Sequence, residues 1–214
     1  MNMKTRNIRK GVCHTVVHKT KGGLPVFRDD VIAKHAVIEL PAHAERFHLP
    51  VLAYCFIENA FALMFGVVDD PDRISAFMKS FTRQITDAYN RRNGTRGRLW
   101  KRHSYICPIA PSNELAAMRH IERLPVVAKV ARSVHQYPFS SYSVRKTIPE
   151  GGWLGRPLSF ERSGDSWQQQ LDAYCDFVKQ IPSLEELEVI KAVMLREGFL
   201  TIQSGYDDVP PEQP

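Results

Sequence analysis

No apolar run in this sequence is long enough to cross a bilayer as a helix, since all stop short of roughly 18 residues. The opening MNMKTRNIRKG is basic and lacks the apolar stretch of a signal peptide, so a cytoplasmic location is the expectation. Cysteine is scarce. Cys13, Cys55, Cys107 and Cys175 lie far apart with no Cys-x-x-Cys pair, which argues against a zinc knuckle or a disulfide framework and for packed, reduced thiols. No internal repeat is visible. Acidic residues are nearly missing from one segment: between Lys79 and Arg102 stand Lys79, Arg83, Arg91, Arg92, Arg96, Arg98, Lys101 and Arg102, opposed only by Asp87. The formal net charge of +6 points to a polyanionic partner, and this distribution says where contact would fall.

With 214 residues and 43% hydrophobic content, the chain can bury a substantial core. GVCHTVVHKT reads as a strand, followed by turn residues in KGGLP. Asp29 or Asp30 is placed to cap a helix through VIAKHAVIELPAHAERF, with a kink or break expected at Pro41. LPVLAYCFI and AFALMFGVV read as two strands of a hairpin turning at Glu58-Asn59. From Asp69 to Arg92 the apolar positions Ile74, Phe77, Met78, Phe81, Ile85, Ala88 and Tyr89 form one helical stripe, with Lys79 and Arg83 off it. RLWKRHSYICPI reads as a returning strand. PSNELAAMRHIERL reads as a helix capped by Ser112 or Asn113 and stopped by Pro125. The expected organisation is an α+β core over residues 1–145, then residues 146–214 as a Pro/Gly-rich linker, a helical extension of two helices and a flexible tail. In the second of those helices, Leu184, Leu187, Ile190, Val193 and Met194 form an apolar face suited to docking back onto the core.

Four segments, VFRDD, AYCFIEN, FMKSFTRQITDAYNRRNGTRGRLWKRHSY and MRHIERLPVVAKVARSVHQYPFSSYS, occur in an order that resembles the REP-associated tyrosine transposases, a branch of the HUH single-tyrosine transposase superfamily, over about residues 8 to 145. The resemblance implies a ferredoxin-like antiparallel sheet with packed helices that binds hairpin or single-stranded DNA. Such enzymes cleave by attack of a tyrosine hydroxyl on phosphorus, while a divalent metal held by a His-x-His pair polarises the phosphoryl oxygens. On a strand, two-residue spacing puts both imidazoles on one face. By the same resemblance, the histidine pair falls here at Ala60 and Ala62, and the tyrosine at His120. A methyl group coordinates nothing, so no catalytic residue and no metal or other cofactor is expected.

Substitutes for the lost groups are weak. His120 could attack phosphorus through a ring nitrogen, and Glu58 or Asn59 could offer oxygen to Mg²⁺. His14 and His18 share a strand face about 13 Å apart, too far for one metal. Tyr89, Tyr105, Trp100 and the Tyr137, Phe139, Tyr142 group suit packing better than catalysis or base stacking. The leading reading is a transposase-derived pseudoenzyme that binds DNA, including palindromic repeats, through Lys79, Arg83, Arg91, Arg92, Arg96, Lys101 and Arg102 without cutting it. The alternative is an active transposase or single-strand endonuclease, using Mg²⁺ or Mn²⁺ through rearranged residues. A third is a protein-interaction module carried by the extension. The sequence assigns no oligomeric state.

Overall fold

A computed structural model of the protein describes residues 8–70 and 72–187. Its elements are β1 (Cys13–Lys19), α1 (Asp30–Arg46), β2 (Val51–Ile57), β3 (Ala60–Phe65), α2 (Asp72–Asn93), β4 (Tyr105–Ile109), α3 (Glu114–Val127), α4 (Ser141–Arg145), α5 (Leu158–Glu161) and α6 (Trp167–Lys179). The strands form one antiparallel sheet in the order β2-β3-β1-β4. That order, with a helix crossing from β1 to β2 and another from β3 to β4, is the ferredoxin-like arrangement expected from the sequence.

Strand alternation sorts the side chains onto two faces. Val16, Tyr54, Phe56, Phe61, Leu63 and Phe65 point to the α1–α2 side, where they join Ile32, Ala36, Leu40, Phe77 and Phe81. Val17, Cys55, Ile57, Ala60, Ala62 and Met64 point to the other side, against Ala117, Met118 and Ile121 of α3. Every residue of β2 and β3 is therefore buried, whereas β4 is half-exposed along most of its length.

The helix ends settle several open choices. Asp29 caps α1, its Oδ1 accepting the Val31 N–H at 3.0 Å, and α1 runs unbroken through Pro41 to Arg46. Asp70 does the same for α2 by accepting the Asp72 N–H at 3.1 Å. Neither Ser112 nor Asn113 caps α3 through its side chain; a 3-10 turn at Pro111–Asn113 leads in instead. Nor does Pro125 stop α3. Proline removes only its own N–H, and the helix continues to Val127 until Lys129 turns the chain with φ of 56°.

Two further expectations need correction. The returning strand begins only at Tyr105, because residues 98–104 are held in irregular form by side chains. Trp100 Nε1 donates to Thr82 O at 3.1 Å and Thr86 Oγ1 at 3.0 Å, and His18 pairs with Lys101 O at 3.0 Å and Ser104 Oγ at 2.7 Å. The stretch 147–157, expected as a linker, lies along the outer edge of β2: Leu154 bridges to Val51, and the Gly155 N–H donates to Val51 O at 2.8 Å. Phe160, Leu171, Tyr174, Cys175 and Val178 share the core cluster on the α3 side. Leu187 is buried and Leu184 exposed; the remainder of that second helix and the tail lie outside the described residues.

Candidate nucleic-acid interface

The strand period does put Ala60 and Ala62 on one face, and α3 covers that face. Ala60 is 5% exposed, Ala62 1% and His120 3%. Burial alone lowers the His120 pKa from 6.5 to about 4, so the imidazole is neutral near pH 7. Cys55, the register partner of Ala62, has its thiol pushed well above its ordinary pKa by burial. The Glu58 carboxylate is held by Arg28 at 2.9 Å, and the Asn59 carbonyl accepts from the Thr20 N–H at 2.8 Å. Among the described residues no three His, Cys, Asp or Glu side chains are grouped to hold a metal ion. The residues around the alanine pair do not fit a divalent cation.

Behind α3 lies a second layer whose chemistry the sequence reading missed. Glu122 is fully buried: its Oε1 accepts from Ser141 Oγ at 2.6 Å, its Oε2 from Tyr174 at 2.8 Å, and Arg145 stands 3.6 Å away. Desolvation raises the Glu122 pKa, opposed by Arg145 and by the hydroxyl donors. Arg123, equally buried, donates from Nη1 to the carbonyls of Val178 and Lys179, both at 2.9 Å. Arg119 donates to Phe177 O at 3.2 Å, stacks 3.9 Å over the Phe177 ring and pairs with Glu186. Two guanidinium groups on α3 thus cap the C-terminal carbonyls of α6, the negative end of its dipole. On a sequence these charges look like a solvated helix face. Their partners lie 52 to 67 residues away, apart from Ser141 and Arg145, so no local pattern marks them.

The predicted DNA-contact residues lie elsewhere. Lys79, Arg83, Arg91 and Arg92 belong to α2, on the opposite side of the sheet from the alanine pair. Arg96, Lys101 and Arg102, with Arg98, lie on the loop at the sheet end, where Thr20 bridges to Trp100. All of these cations are exposed. Two are engaged within the protein: Arg83 stands 3.7 Å from Asp87, and Arg92 pairs with the same Asp29 that caps α1. Lys19, which the sequence reading passed over, pairs in register with Ala60; burial and the Lys101 charge hold its pKa below the usual lysine value. The hydrogen bond from the Lys101 N–H to Lys19 O, 2.9 Å long, explains the proximity, which only the strand register could have revealed.

Of the other candidates, His14 and His18 are buried in β1, and Trp100, Phe139 and Tyr142 belong to the core. Tyr137 is committed to the Phe56 carbonyl at 2.5 Å. One concavity borders the cations: a groove of about 710 Å³ between α1 and α2, lined in part by His35, Arg83, Arg91 and Arg92.

Neither a protein-family model nor a curated protein sequence matches the chain. Among solved structures, the fold, a four-stranded antiparallel sheet with packed helices, has similar counterparts. The particular likeness is to a REP-associated tyrosine transposase bound to a REP hairpin, with TM-score 0.52 and 16% identity over 73% of this chain and 93% of that one. A candidate transposase from Deinococcus radiodurans aligns with TM-score 0.41 and 19% identity, over 57% of this chain and 97% of that one.

Proposed function

We propose that this protein is a DNA-binding derivative of the REP-associated tyrosine transposases that grips hairpin or single-stranded DNA without cleaving it. The observation that carries the reading is the exposed cationic tract from Arg91 through the loop to Arg102, in which Arg91, Arg96, Arg98, Lys101 and Arg102 make no ion pair among the described residues. Such side chains meet phosphates at little cost, releasing condensed counterions from the DNA. The structurally similar transposase was solved on a REP hairpin, which supports DNA as the polyanion. The buried alanine pair and the buried, neutral His120 support loss of cleavage, since neither metal ligand nor nucleophile is offered to a strand.

The test is a titration with hairpin and single-stranded DNA at several salt concentrations. Replacing Arg91, Arg96 or Arg102 with alanine is expected to weaken binding and flatten the salt slope by about one unit per lost phosphate contact. Arg92→Ala is expected to act differently, loosening the junction of α1 and α2 because its guanidinium is already held by Asp29. Binding that ignores salt would refute the reading. So would a covalent protein–DNA band formed with Mg²⁺ or Mn²⁺ and abolished by His120→Ala, which would establish the active-enzyme alternative.

A further inference from the structure

We infer that the groove between α1 and α2 is a site for unpaired nucleotides of single-stranded DNA, set apart from the alanine pair by the full thickness of the sheet. The inference rests on the DNA-binding reading and assigns it a second surface, on which α1 adds Val31, Ile32 and His35 to arginines of α2.

Shape and chemistry together name the occupant. The groove has a volume of about 710 Å³, within the range of roughly 300–1,000 Å³ that holds ligands of nucleotide size. Val31 and Ile32 of α1 and Ala88 of α2 are among its apolar lining residues, Ile32 from the floor, since it is itself buried. Val31 is 51% exposed, an apolar side chain left open to solvent on the groove wall. Aliphatic walls of this kind pack against the face of a base whatever its identity, while Gln84, also in the lining, supplies both a donor and an acceptor for a base edge. Three arginines and one aspartate line the groove, so its charge suits an anion. Asp87 engages Arg83, and Asp29 engages Arg92, which leaves Arg91 as the cation available to a phosphate.

The geometry favours unpaired nucleotides over a duplex. A duplex presents a convex phosphate ridge with its bases turned inward, and cannot fill a cleft between two helices. An unpaired strand can insert a base and leave its phosphate at the rim. Arg91 stands at the C-terminal end of α2, from which the chain passes directly into the cationic loop of Arg96 and Arg98, so one strand can run from loop to groove. Sites for single strands combine the same two features, a cationic track and surfaces that take base faces.

The experiment measures binding of full-length protein to a labelled oligothymidylate of roughly 12 nucleotides and to a fully paired duplex. Ala88→Trp fills the groove, and Val31→Asp places a negative charge in it. Val31 lies in the first turn of α1, where an acidic residue is favoured, so that variant is expected to fold normally. Each variant is expected to weaken oligothymidylate binding about tenfold while leaving duplex binding unchanged. If folded Val31→Asp protein binds the oligonucleotide as tightly as the parent, while Lys101→Ala and Arg102→Ala weaken it, the groove assignment is overturned and the DNA-binding reading stands. If the parent protein binds neither DNA, the reading itself fails and takes the groove with it.

Discussion

His120 sits where the resemblance places a nucleophile, and its surroundings have made it part of the core instead. An imidazole buried at 3% exposure stays neutral, because charging it there forfeits its hydration. The folded-state pKa of about 4 lies below the ordinary value of 6.5, so the unfolded chain binds the extra proton between those limits. Stability contributed by neutral His120 is therefore fully present above pH 6.5 and is lost as pH falls towards 4. The shift corresponds to an effect on the order of 3 kcal/mol. Urea unfolding of the parent and of His120→Gln, at pH 7 and again near pH 4.5, checks this. The parent is expected to lose more stability than the variant on acidification, and equal losses would remove the buried-imidazole account.

At the scale of elements, α3 decides what the sheet can do. It lies across Ala60 and Ala62 with Ala117, Met118 and Ile121 packed in the same cluster, so the face on which the resemblance places two imidazoles is close-packed interior. Restoring histidine at position 62 adds a ring where the parent side chain is 1% exposed. Ala62→His is expected to destabilise the protein by about 1–3 kcal/mol through overpacking, with a further cost if the ring nitrogens find no partner. Denaturant midpoints read the change, and a variant as stable as the parent would mean that the face has room for a site.

The elements differ in how plainly the sequence announced them. The stripe of Ile74, Phe77, Met78, Phe81 and Ile85 repeats at the helical period and forms one buried face, packed against the sheet and α1, so α2 was legible. The β2–β3 hairpin was legible for a related reason, its continuous apolar runs flanking Glu58-Asn59. α3 was misread in its end, Asn113 holds its N-cap position without a side-chain bond, and its environment was not foreseen. Its charged residues Arg119, Glu122 and Arg123 are buried against partners on α4 and α6 and beyond, and contacts over such separations leave no local trace. Of the candidate site, the cationic residues could be named from composition. Their division into cations engaged by Asp29 or Asp87 and cations left open could not, because it depends on how α1 lies beside α2.

For the whole molecule, the question is whether the sheet with α3 stands without the segment that follows. A chain ending at Pro157 loses Phe160, Leu171, Tyr174 and Val178 from the core cluster. It also strips buried groups of their partners: Glu122 loses the Tyr174 hydroxyl, Arg123 the Val178 and Lys179 carbonyls, and Arg119 both Phe177 and Glu186. Removing one partner from a buried ion pair costs about 3–5 kcal/mol, against a total stability for most proteins of roughly 5–15 kcal/mol. The truncated chain is accordingly expected to lose its cooperative thermal transition and to bind a hydrophobic dye, with DNA binding lost alongside the fold. A truncated protein that melts cooperatively at the full-length temperature would instead make residues 1–157 self-sufficient. In that case the buried arginines of α3 serve only to dock α6, and the cationic tract should bind DNA with undiminished affinity once α6 is gone.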